Sequence, residues 1–203
     1  MFGQQIHSDP HAPTEARVNG VRLSNGTELP ADFVIAGVGI LPGTALAEAA
    51  GLAIENGIKT DEFGRTSDPH IWSAGDCASF PWQGGRLRLE SVGNAIDQAE
   101  AVAENILGLG KPYQAKPWFW SDQYDCKLQI AGLNTGYDSV VTRGPEGDAV
   151  SFWYFKGDTL LAVDAMNDPR AYMVGKRLIE NGKSPSKAAL ADPATVMKDL
   201  LKA

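Results

Sequence analysis

The stretch HIWSAGDCA, residues 70–78, runs from aromatic and apolar side chains into Gly75-Asp76 and then into small residues. Ile71 to Ala74 reads as a short buried strand, and Gly75 lets the chain turn without a Cβ clash. Asp76 would then stand at the carboxyl end of a strand, where open α/β sheets place ligands. An unpaired buried carboxylate is strongly unfavourable, so Asp76 either caps its own turn or accepts hydrogen bonds from the hydroxyls of a ligand. A second group, Glu90-Ser91-Val92, opens a helical period; Ser91 is suited to cap it, and the positive end of the helix would point at whatever lies beside Glu90 to Asn94. A third, Trp118-Phe119-Trp120, is an aromatic run whose commonest use is core packing.

Other chemistries are disfavoured. Cys77 and Cys126 lie far apart with no Cys-x-x-Cys pair, whereas thiol–disulfide reductases need one thiol to attack and a neighbour to resolve. Both cysteines read as small buried fillers. The three histidines, two of them (His7 and His11) in a polar leader, make no zinc pattern. With 18 basic against 25 acidic residues the chain carries a net charge of −7, which argues against nucleic acid and anionic membranes as partners. No apolar run reaches the length of a membrane span and the leader lacks the apolar centre of a signal peptide, so a cytoplasmic location is expected.

The elements that would position these groups follow from pattern. Residues 1–16 are polar, with Pro10 and Pro13, and suggest a loose leader. Asn25-Gly26 makes a hairpin turn between two strand-like runs. DFVIAGVG, residues 32–39, is almost continuously apolar, as expected of a strand buried on both faces of a parallel sheet. TALAEAAG reads as a short helix ending on Gly51, and residues 57–76 as a strand, a turn and a second strand. Val92, Ile96, Ala99, Ala103 and Ile106 recur at helical spacing and predict a buried face, with Gly108 or Gly110 as the stop. Beyond a join at Lys111 to Pro117 the text alternates like antiparallel strands, with Lys156-Gly157-Asp158 as a turn and a helix over PRAYMVGKRLIENG.

Taken in order, VIAGVGILPG (34–43), TSDPHIWSAGD (66–76), ESVGNA (90–95) and PWFWSDQ (117–123) resemble the FAD-dependent NAD(P)H:ferredoxin reductases that serve cytochromes P450 and ring-hydroxylating dioxygenases. The resemblance implies an α/β fold: a partial pair of dinucleotide-binding (FAD/NAD(P)) domains followed by a C-terminal α+β reductase domain. The divisions would be a leader over 1–16, the end of the NAD(P)-binding domain over 17–60, the last part of the FAD-binding domain over 61–115 and the reductase domain over 116–203. It implies FAD and NAD(P)H as cofactors and an iron–sulfur ferredoxin as electron acceptor. Gly75 and Asp76 would meet the ribityl region of FAD, and Ser91 and Val92 would aim the helix start at the electron-rich edge of the flavin ring. Glu90 would lie near nicotinamide and flavin, Trp120 on the acceptor side of the flavin, and Gly37 and Gly39 in the NAD-side segment that returns to it.

The Gly-x-Gly-x-x-Gly turns that hold dinucleotide diphosphates are missing from this sequence; Gly37, Gly39 and Gly43 have the wrong spacing. The expectation is therefore a C-terminal part of a reductase with little activity alone, whose exposed sheet edges call for the missing N-terminal half or a homo-oligomer. The alternative is a flavin-free remnant that binds a redox protein or a homologous subunit through its C-terminal domain.

Overall fold

The computed structural model describes residues 5–8, 18–145 and 149–202, with side chains from residue 18 onward. Residues 1–41 and 42–203 form separate bodies. In the first, strands β1 (Gln5–Ser8), β2 (Val18–Arg22) and β3 (Glu28–Pro30) make an antiparallel sheet in that order. The hairpin expected at Asn25-Gly26 is present, with Gly26 at φ 85° and the Asn25 side chain accepting from the Thr27 amide. Part of the expected leader is thus ordered, because Gln5 to Ser8 find a partner in β2; the rest of it, His11 included, lies outside the described residues.

The strand expected over residues 32–39 is not formed. Residues 33–41 have no regular structure, and Phe33, Ile35 and Val38 are exposed. A strand buried on both faces needs neighbours on each side, and among the described residues none pairs with this run.

The second body begins with α1 (Ala45–Ala49), the short helix that ends on Gly51 at φ 72°. Strands β4 (Ile58–Lys59), β5 (Ala78–Trp82) and β6 (Gly85–Leu87) follow, β4 parallel and β5 antiparallel to its hairpin partner β6. The second strand expected at Ile71 to Ala74 is absent; only a single bridge joins Trp72 to Arg65. The sheet strand starts after Asp76 instead, because Ala78, Ser79 and Phe80 are the buried run that pairs with β4 and β6.

Helix α2 (Val92–Ile106) carries the site's geometry. Its expected buried face is the exposed one: Val92, Ile96 and Ile106 are more than half exposed, and Ala99 and Ala103 also face outward. The inward face is Gly93, Asn94, Gln98, Val102 and Asn105. The amides decide this. Asn105 Nδ2 donates to the Phe63 and Lys111 carbonyls and its Oδ1 accepts from the Lys111 amide, and turning this face outward would strand those main-chain groups without partners.

The C-terminal part is a five-stranded antiparallel sheet of β7 (Trp118–Gln123), β8 (Cys126–Gly132), β9 (Ser139–Arg143), β10 (Val150–Lys156) and β11 (Thr159–Met166), in the order β7-β8-β11-β10-β9. The turn at Gly157-Asp158 falls where the sequence predicts it. Helix α3 (Pro169–Glu180) starts at an Asp168 cap with proline in its first turn, where a missing N–H costs nothing. Its inner face, Ala171, Val174 and Leu178, packs with Trp153, Phe155 and Val163. Arg143 ties the end of the chain to β9 by donating to the carbonyls of Leu190, Asp192 and Thr195.

The contact of α3 with the sheet depends on Gly175, where an added Cβ would lie 2.4 Å from Val163 Cγ1. Gly175→Ala is expected to cost about 1–3 kcal/mol in urea denaturation. Gly43→Ala, which meets open space, should stay within about 0.5 kcal/mol of the parent. Equal stabilities would contradict the packing described.

Candidate flavin-ring site

Gly75 turns at φ 79° and is buried, and its amide donates to Gln98 Oε1 at 2.8 Å. That bond fastens the Gly75-Asp76 turn to the middle of α2. A Cβ at residue 75 would touch Ala95, 3.4 Å away, on the same helix. Asp76 follows the turn with its side chain exposed, and among the described residues its carboxylate accepts no hydrogen bond. It is therefore not the buried carboxylate expected, since the strand that would have enclosed it is not there. It is a free acceptor held on a rigid turn.

Arg88 joins this turn to Glu90. Its Nη1 donates to the Asp76 carbonyl at 3.3 Å and forms an ion pair with the Glu90 carboxylate. The Arg88 side chain is only 10% exposed, and its buried Nε has no partner among the described residues.

Ser91 is buried, and its Oγ accepts from the Asn94 amide at 3.1 Å, capping α2. Asn94 Nδ2 donates to the Leu89 carbonyl, so the approach to the helix is fixed as firmly as its start. The amides of Val92 and Gly93 have no intrahelical acceptor and present the positive end of a 15-residue helix. Tyr113 braces this end from below, its hydroxyl donating to Asn94 Oδ1 at 3.0 Å and its ring meeting Phe80 edge-on.

The aromatic run meets the same helix turn. At Gly93 an added Cβ would lie 2.5 Å from Trp118 Nε1, so the Trp118 indole rests on the first turn of α2. Trp120 stacks on Trp118, with ring centroids 5.3 Å apart and planes 21° from parallel, and is 42% exposed. Lys176 of α3 places Nζ 5.1 Å from the Trp118 ring on a separate approach. Glu90, Ser91, Val92 and Trp120 thus gather at one helix end, and Gly75 and Asp76 are tied to the same helix through Gln98 and to Glu90 through Arg88. Gly37 and Gly39 belong to the other body, within the irregular run, and nothing crowds either Cα.

Three positioning residues escaped the sequence: Gln98, Asn94 and Arg88. The first two leave a trace there, because amides at 94, 98 and 105 recur along one side of a helix between apolar neighbours. Arg88 leaves none. Cys77 and Cys126 are both free and half-buried, Cys77 Sγ lying 3.7 Å from the Ala74 carbonyl. Among the described residues no group of His, Cys, Asp and Glu could hold a metal ion, and no helix is long and apolar enough to cross a membrane.

Residues 4–99 match the family described as pyridine nucleotide-disulphide oxidoreductase, and residues 118–201 match the one described as reductase C-terminal. Putidaredoxin reductase of Pseudomonas putida is 39% identical over 99% of this chain and 48% of its own length. Rhodocoxin reductase of Rhodococcus erythropolis is 42% identical over 88% of this chain and 43% of its own. This chain corresponds to the C-terminal half of a ferredoxin reductase of the putidaredoxin and rhodocoxin reductase type. The chain spans about half the length of the curated relatives it matches. Among solved structures it is similar to the ferredoxin reductase for the CYP199A2 system of Rhodopseudomonas palustris, at 41% identity and TM-score 0.85, covering 96% of this chain and 49% of that one. It is equally similar to the putidaredoxin reductase of a covalent putidaredoxin reductase–putidaredoxin complex, at 39% identity and TM-score 0.85, over 98% of this chain and 49% of that one. The fold is therefore a partial dinucleotide-binding region joined to a reductase C-terminal domain.

Two measurements test the framework. Gln98→Leu should cost about 1–3 kcal/mol by stranding the Gly75 amide, whereas Gln98→Glu, which keeps an acceptor, should cost less; identical unfolding midpoints would contradict the role given to Gln98. Burial, aided by the charge of Asp97, pushes the Tyr113 hydroxyl from 10.0 to about 12. The folded chain then holds a proton that the unfolded chain loses, so this stability is intact below pH 10 and disappears as pH rises through about 12. Tyr113→Phe should flatten the pH dependence of the melting temperature in that window.

Proposed function

We propose that this chain supplies the flavin-ring side of an FAD-dependent NAD(P)H:ferredoxin reductase. The observation that carries the proposal is the convergence of Asp76, Glu90, Ser91 and the Trp118–Trp120 stack on the first turn of α2. Those residues fit the group. An exposed carboxylate with no donor among the described residues suits a polyol chain, helix-start amides without intrahelical acceptors suit a ring edge that gains negative charge on reduction, and a stacked indole pair offers a flat apolar wall. The chemistry a bound FAD supplies is acceptance of two electrons from NAD(P)H and their release one at a time to an iron–sulfur ferredoxin.

The residues of the chain have separate parts in this. Asp76 accepts from hydroxyls and orients the ligand along the Gly75 turn. The Val92 and Gly93 amides stabilise negative charge without reorganising, because Ser91 and Asn94 already fix the turn. Glu90, neutralised by Arg88, borders the nicotinamide side. Trp120 takes the acceptor side, and its exposure supports that place over a core one. Gly37 and Gly39 are assigned to the NAD-side segment. A redox-protein partner is supported by the complex of one relative with its putidaredoxin.

Residues 1–203 grafted in place of the corresponding half of putidaredoxin reductase test the proposal. Asp76→Ala in the graft should weaken FAD retention by about 1.5–3 kcal/mol, and Trp120→Ala should slow transfer to the ferredoxin with little change in melting temperature. Unaltered FAD affinity in the first, or normal turnover per flavin in the second, would overturn the assignments.

A further inference from the structure

The five-stranded sheet has a second face. Along β10 and β11, Trp153, Val163 and Ala165 turn toward α3, so the alternate residues turn away from it. One row of cross-strand partners on that outer face reads Phe119, Ile130, Asp164, Phe152, Thr142. The face stays partly open, with Phe119 at 45% and Val140 at 41% exposure. Asp164 is the one charge in the row and sits on its central strand.

At the β7 end, the segment leading to α2 closes over this row to form a cleft of 280 Å³, lined by Leu89, Pro117, Trp118, Phe119 and Ile130 together with Glu90 and Asp164. Asp164 Oδ2 accepts from the Tyr154 hydroxyl at 2.7 Å, and among the described residues no cation pairs with it. Glu90 is already matched by Arg88. Burial pushes the Asp164 carboxyl above its ordinary value, so its charge burdens the chain by itself. A carboxylate accepts about four hydrogen bonds, and one is filled.

The shape and chemistry select the occupant. Apolar walls over an anion suit an aliphatic stem tipped by a cation, and a planar guanidinium can meet the carboxylate through two donors. A free small cation would leave the apolar row beside the cleft uncovered, whereas a peptide's neighbouring side chains would cover it. We propose that this cleft docks a polypeptide segment that inserts an arginine side chain against Asp164 and lays apolar neighbours along the row from Phe119 to Phe152. The site borders the flavin assignment, sharing with it the Glu90-Ser91 segment and Trp118, while Asp164 and the row from Ile130 to Phe152 lie outside that assignment.

The probes are the tripeptide acetyl-Leu-Arg-Leu-amide and its neutral isostere with citrulline in place of arginine, titrated into the 203-residue chain and followed by backbone amide shifts. Saturable shifts at Ile130, Ala162 and Asp164 are expected with the arginine peptide. Binding should weaken about tenfold or more with the citrulline peptide and with Asp164→Asn. The peptide pair tests the charge on the unaltered protein, whatever the variant does to folding. Equal binding of the two peptides, unchanged binding to Asp164→Asn, or no saturable shift would overturn the proposal. So would sedimentation showing that the free chain self-associates through this face, which would assign it to a second copy.

Discussion

The site depends on one buried hydrogen bond, from the Gly75 amide to Gln98 Oε1. It joins a turn and a helix that are distant in sequence, and it is directional where hydrophobic contact is not. Methyl groups packed on methyl groups would tolerate a helix rotated or slid by a fraction of a turn; a buried amide that must meet a carboxamide oxygen at 2.8 Å does not. Asn94 and Asn105 repeat the device at either end of α2. With such bonds at three positions along it the helix has one rotation and one height, and its N-terminus has one aim.

That aim explains why the neighbouring groups are arranged as they are. Trp118 reaches the helix only because residue 93 has no Cβ, and the contact sets the edge strand of the C-terminal sheet against the first turn of α2. Trp120 inherits its position by stacking on Trp118. The sheet itself is anchored elsewhere, by Trp153 and α3, so the indole pair sits on a frame that does not need a ligand to stand. Arg88 completes the arrangement by engaging both the Asp76 carbonyl and the Glu90 carboxylate with one nitrogen, while its Nε has no acceptor among the described residues.

Much of this is legible in the sequence. Ser91 as a cap, the extent of α2, the Asn25-Gly26 hairpin, the β10–β11 turn and the helix over residues 169–180 all follow from local chemistry, and local chemistry governs them. What sequence pattern misplaced are features that depend on what an element packs against. The period of Val92, Ile96, Ala99, Ala103 and Ile106 is genuine, but periodicity names a face without saying which side is inside; the hydrogen-bonding needs of Asn94, Gln98 and Asn105 settle that. Likewise the apolar run over residues 32–39 has the composition of a central strand and no described neighbours to make it one. The Ile71 to Ala74 segment failed for a smaller reason, since the pairing begins a few residues later, at Ala78, and leaves Asp76 on the surface.

On the proposed reading the residues at the start of α2 address the ring and polyol of a flavin, and the glycine-rich turns that hold a dinucleotide diphosphate are not in this sequence. The most direct measurement is a pair of equilibrium titrations of the chain, one with FAD and one with riboflavin, which carries the ring and polyol alone. The expected result is weak, saturable binding of both with dissociation constants within about threefold, less than 1 kcal/mol apart. Binding of neither, or FAD binding about a hundredfold tighter than riboflavin, would contradict it.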